Sequence, residues 1–149
     1  MYARTIFTSA MLAATLALTA CGGTSGDAAA AEAANLAVAA EPSGALAFHE
    51  PTLSAAAGQP LSVTFDNPAP LQHNWVLVQA GQEQAVVDAA AAKNGDATGV
   101  AGVIAASAPL GTDGKQSISV PAQPAGTYSY ICTVPGHYAG GMKGALEVK

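Results

Sequence analysis

Thr127-Tyr128-Ser129-Tyr130-Ile131-Cys132, then Thr133-Val134-Pro135-Gly136-His137-Tyr138-Ala139-Gly140-Gly141-Met142, then Lys143-Gly144-Ala145-Leu146-Glu147-Val148-Lys149, is the stretch that decides the fold. The first six residues alternate as a strand does. Pro135-Gly136 turns the chain, and Gly140-Gly141 reverses it again. Strand spacing returns after Met142. The stretch therefore reads as two strands joined by a tight, turn-rich loop.

That loop holds a thiol, an imidazole and a thioether. Cys132, His137 and Met142 are separated by four residues in each interval. A lone Cys or Met is ordinarily core filler, and a lone His is ordinarily a hydrogen-bonding residue. Their joint spacing at the end of a strand points instead to one metal ion surrounded by the loop. His73, in Leu71-Gln72-His73-Asn74-Trp75, is the candidate fourth ligand. Two imidazoles and a thiolate in a plane, with a weak axial thioether, form the ligand set of a blue-copper electron-transfer site. His49 has no second ligand near it in sequence and reads as a surface residue at a strand end.

Outward from the loop, the pattern stays β. Leu46–Phe48 and Thr52-Leu53 read as a first strand broken at Pro51. Leu61–Asn67 alternates cleanly and ends in an Asp-Asn-Pro turn. Gln72–Gln79 is mostly apolar, which suits a sandwich interior. Gln84–Lys93 is Ala-rich and stops at Asn94-Gly95, the pattern of a short helix. Val100–Ala106, Gln116–Val120, Thr127–Cys132 and Gly144–Val148 complete the strands. About seven short strands at regular spacing indicate an all-β sandwich or barrel with one helical insertion.

His73-Asn74-Trp75-Val76-Leu77, with Tyr128-x-Tyr130-x-Cys132-Thr133-x-Pro135-Gly136-His137 and Met142-Lys143-Gly144, resembles the cupredoxin family, closest to its azurin and auracyanin branch. The resemblance covers residues 44–149. It implies a Greek-key β-sandwich of about seven to eight strands. It also implies one type 1 copper ion held by His73, Cys132, His137 and Met142. Asn74 matches the family's Asn that hydrogen-bonds across to the Cys loop near Thr133. Trp75 is expected in the core. Four residues lie between His137 and Met142 where azurins have three, which is similar to auracyanin. Gln72 stands where azurins have Gly, a departure that favours four ligands over a fifth carbonyl contact. The resemblance further implies a single-electron shuttle using an apolar patch around His137. Its partners would be a c-type cytochrome, a quinol-oxidising complex or a photosynthetic reaction centre.

The chain has 149 residues, enough for one domain with a core. Residues 1–20 have a charged start at Arg4, an apolar run from Ile6 to Leu18 and a small-residue cleavage point, the marks of an export signal. The run is shorter than the roughly 20 residues a spanning helix needs. Leu18-Thr19-Ala20-Cys21 resembles the lipobox of bacterial lipoproteins, in which Cys21 becomes the acylated first residue. Residues 21–43, rich in Ala, Gly and Ser, are expected to be a flexible tether. The domain would then be exported and anchored to the outer, periplasmic face of the cytoplasmic membrane.

Charge and cysteine content narrow the classes. Five basic residues face ten acidic ones, and the formal net charge is −5. Nucleic acid needs a basic footprint, which is lacking. With Cys21 lipidated and Cys132 on a metal, no disulfide remains. An enzyme is not expected, because copper oxidases and nitrite reductases need further histidine ligands and the chain has three His in all. A periplasmic copper carrier or store is the alternative. It would want a Met- or His-rich exchangeable surface, and of the three Met, Met1 and Met11 lie in the export signal.

Overall fold

A computed structural model describes residues 32–149. Eight strands and one helix are formed there, in the order β1 (Ala34–Ala39), β2 (Thr52–Ala55), β3 (Leu61–Asn67), β4 (Val76–Val78), α1 (Glu83–Ala91), β5 (Val103–Ala106), β6 (Gly114–Val120), β7 (Gly126–Ile131) and β8 (Lys143–Val148). They make two sheets, one ordered β1-β3-β6 and the other β2-β8-β7-β4-β5. β1 runs parallel to β3, and β2 parallel to β8. The remaining pairs are antiparallel. Neighbours so distant in sequence are the crossing pattern of a Greek-key sandwich.

Alternation in β3 explains the core. Leu61, Val63 and Phe65 are buried, and the intervening Ser62, Thr64 and Asp66 are not. They pack with Trp75, just before β4, and with Leu77, Tyr130, Leu146 and Val148 of the second sheet. Each such apolar side chain contributes roughly 1.5–3 kcal/mol on burial. β4 does not alternate, because both of its faces are covered. Trp75 and Leu77 face the sandwich core. Val76 and Val78 face a second cluster with Ile131, and with Val86 and Ala90 of α1. The helix is thus a lid on the outer face of β4 and β7, and Ser129 Oγ ties it there by donating to Glu83 Oε1 at 2.7 Å.

The structure corrects three of these expectations. Ala34–Ala39, expected in the tether, is a strand paired along its length with Leu61–Asp66. Its Ala-rich sequence hides the short Leu36, Val38 alternation, and a partner strand supplies the missing order. The first 31 residues, with the export signal, Cys21 and the start of the tether, lie outside the described residues. The strand expected over Gln72–Gln79 is regular only at Val76–Val78. Leu46–Phe48 makes only an isolated bridge, between Phe48 and Ala40. Among the described residues no helix is long and apolar enough to cross a membrane.

Candidate metal centre

His73 sits just before β4. Its N–H donates to Leu110 O at 3.0 Å, and its carbonyl accepts from Leu110 N–H at 2.8 Å. Asn67, buried at the end of β3, fixes the surroundings of that bridge. Its Nδ2 donates to the carbonyls of Leu71 and Leu110, both at 2.8 Å, and lies 3.1 Å from that of Gly111. In the sequence alone Asn67 reads only as a turn residue. Its burial at a strand end was the available signal, and only the fold could supply it.

Cys132 follows β7 directly. Its N–H donates to Met142 O at 3.1 Å, and Met142 N–H donates to His137 O at 3.0 Å. The three loop residues are therefore tied to one another through their backbones before any ion is considered. Cys132 and Met142 are fully buried. His137 is half-buried beside exposed Pro135, Gly136, Ala139, Gly140 and Gly141.

Three donor atoms converge. Cys132 Sγ lies 4.0 Å from His73 Nδ1 and 3.5 Å from His137 Nδ1, and the two Nδ1 atoms are 3.1 Å apart. The centre of that triangle is about 2.1 Å from every corner, within the metal–nitrogen and metal–sulfur bond range. The donor set thus fits one ion without rearrangement. His73 Nε2 faces no acceptor in the protein, which leaves Nδ1 as its working nitrogen.

Burial shapes the protonation states. Desolvation, with the His137 imidazole beside it, lowers the His73 pKa to about 4. Desolvation also lowers that of His137. Both rings are thus neutral, as metal ligands must be. The Cys132 thiol is pushed up to about 11 by burial, against the pull of the backbone N–H groups of Asn74 and Val134. A soft cation that displaces the thiol proton removes this conflict.

Asn74 and Thr133 brace the sulfur side. Thr133 N–H donates to Asn74 Oδ1 at 2.8 Å, and Asn74 Nδ2 donates to Thr133 Oγ1 at 2.8 Å. Both side chains also reach the carbonyl of Gly95, a residue that in the sequence alone reads only as the stop of a helix. Trp75 is fully buried against Tyr130, with ring centroids 5.8 Å apart. His49 is exposed, with Nδ1 3.2 Å from Glu41 Oε2.

The comparisons with known proteins agree with this centre. The family model for copper binding proteins of the plastocyanin/azurin family matches residues 34–149. Auracyanin-B of Chloroflexus aurantiacus is 42% identical over 112 residues, which cover 70% of this chain and 48% of that protein. The chain thus spans about half the length of that relative. The structure of auracyanin B superposes with a TM-score of 0.70 at 39% identity, covering 78% of this chain and 89% of the other. That of auracyanin A, described as a "blue" copper protein from the green thermophilic photosynthetic bacterium Chloroflexus aurantiacus, has a TM-score of 0.70 at 32% identity. It covers 79% of this chain and all of the other.

Proposed function

The chain belongs to the plastocyanin/azurin family of copper-binding proteins, and from that premise we propose that it is a mononuclear blue-copper electron carrier. The observation that carries this reading is the triangle of His73, Cys132 and His137 donor atoms, with buried Met142 tied to the same loop. Bound copper would supply a one-electron couple. His73, Cys132, His137 and Met142 would hold it, with Met142 as the weak thioether ligand. The protein keeps that donor set rigid and dry, so little has to move when the charge changes. Four protein ligands leave no open position for a substrate, which favours a carrier over an enzyme.

His137 is the route in and out. Its ring reaches the surface among small apolar residues, whereas His73 is fully enclosed. A patch of this kind makes small, short-lived contacts suited to redox encounters. Its partners are redox proteins such as a c-type cytochrome, a quinol-oxidising complex or a photosynthetic reaction centre. The export signal and lipobox of the first 21 residues support a chain carried across the cytoplasmic membrane and anchored there by lipid on Cys21.

The test is a visible spectrum of the purified protein with Cu(II), before and after ascorbate. The expected result is an intense blue band that bleaches on reduction and returns on oxidation. A protein that binds copper without that band, and yields it readily to a chelator, would be a copper carrier or store instead. Mass spectrometry of the N-terminal peptide from membranes tests the anchor, which fails if Cys21 carries no acyl chain.

A further inference from the structure

Gly95 stands in the turn after α1, outside the set of copper-holding side chains. Its N–H donates to Ala90 O at 2.9 Å, so it is tied to the end of the helix. Its carbonyl accepts from Asn74 Nδ2 at 2.9 Å and from Thr133 Oγ1 at 2.6 Å. All three residues are buried. The Cα of Gly95 also presses on the metal loop. A Cβ there would lie 2.7 Å from Val134 Cα and 2.9 Å from Val134 N, and φ is +89°. A side chain there would be strained by the backbone and crowded by Val134.

Asn74 directly follows the ligand His73, and Val134 lies two residues after Cys132 in the metal loop. Gly95 holds the first through its side chain and packs on the second directly. One residue of the helical insertion therefore braces both segments that carry the ligands His73 and Cys132.

We propose that Gly95 is a positioning residue for the copper–thiolate couple, and that the helical insertion sets the reduction potential through it. The inference rests on the copper-carrier reading above. Hydrogen bonds to a ligating sulfur withdraw electron density from it and favour the reduced ion. Holding the Asn74 and Val134 peptides in place preserves the hydrogen-bonding surroundings of the sulfur and so keeps the potential high.

The test compares Gly95→Ala with Gly99→Ala in the full chain. Gly99 also has positive φ, at +73°, but nothing lies within 4 Å of a Cβ built there. Both variants strain the backbone, and only the first pushes on Val134. Gly95→Ala is expected to titrate at a lower potential, with Cu(II) favoured several-fold at a fixed solution potential and an altered copper hyperfine splitting. Gly99→Ala is expected to match the parent. In the metal-free protein, Thr133 N–H should exchange faster in Gly95→Ala alone, a readout that needs no copper. If Gly95→Ala does not fold, Thr133→Val removes one donor to the Gly95 carbonyl at constant shape, and Thr133→Ser restores it. A fall in potential with Val and recovery with Ser supports the inference. It is overturned by an unchanged potential and exchange rate in Gly95→Ala, by an unchanged potential in Thr133→Val where that variant stands in, or by an equal shift in Gly99→Ala. A parent protein that never turns blue would bring down the carrier reading instead.

Discussion

The Nδ1 atoms of His73 and His137 lie 3.1 Å apart although 64 positions separate the residues in sequence. Two imidazolium ions could not occupy such a site. Together with burial, this proximity holds His73 neutral down to about pH 4. The strand bridge to Leu110 and the loop turn at Pro135-Gly136 place the two rings independently of any ion.

Acid stability of the metal-free protein follows from that pair. The unfolded chain takes up a proton on His73 near 6.5, and the folded chain only near 4. Between those values the unfolded state binds more protons, so stability falls as pH drops through the window. The loss for His73 is on the order of 3 kcal/mol. At the alkaline end the sign reverses. Folded Cys132 keeps its proton to about 11 while the unfolded thiol releases it near 9.0. Stability therefore declines again above that pH. Thermal denaturation of the metal-free protein from pH 4 to 10 should trace a dome.

Copper uptake should release one proton per ion at pH 7. Both imidazoles are already neutral there, and only the Cys132 thiol still carries a proton to displace. The release is measurable with an indicator dye in weak buffer. A release of two or more protons would contradict the low imidazole pKa values.

Cys132→Ser should abolish the intense blue band, because that band needs a copper–thiolate bond. Met142→Leu should keep the colour and raise the reduction potential, since the axial ligand tunes it. Spectroelectrochemistry checks both. Extensive copper loss from Met142→Leu would contradict an axial, weakly bonding role.

Asn67→Ala should lower stability by about 2–4 kcal/mol, because the carbonyls of Leu71, Leu110 and Gly111 lose a shared buried donor. The same segments frame His73, so copper should also leave faster. Denaturant unfolding and stopped-flow chelation by EDTA measure the two effects.

Gly144→Ala should also be destabilising. The Tyr130 ring lies directly over the Gly144 Cα and leaves no space for a methyl group. Tyr130 is fully buried and its hydroxyl donates to Glu50 O, so it cannot swing aside. A cost of about 1–3 kcal/mol is expected from overpacking of this kind, readable as a lower midpoint in urea.

Much of this protein was legible in one dimension. The 2-residue period of Leu61–Asn67 and Thr127–Cys132 announced a sandwich, because alternate side chains of a strand face opposite sides. The spacing of Cys132, His137 and Met142 between two strands announced a metal loop, because three soft or borderline donors in one tight loop have little other use. Asn74 opposite Thr133 came from family resemblance, and the structure shows the hydrogen bonds that join them.

Tertiary structure decided the rest. Ala34–Ala39 is a strand only because Leu61–Asp66 lies beside it, since its own residues favour no particular state. The continuous burial of Val76–Val78 follows from α1 covering a face that an open sheet would leave wet. The roles of Asn67 and Gly95 depend on partners as far as 44 and 38 positions away. Spacing along a chain encodes periodicity and local turns. It does not encode which buried donor meets which distant acceptor, because that is fixed only when the sheets close and bring the two together.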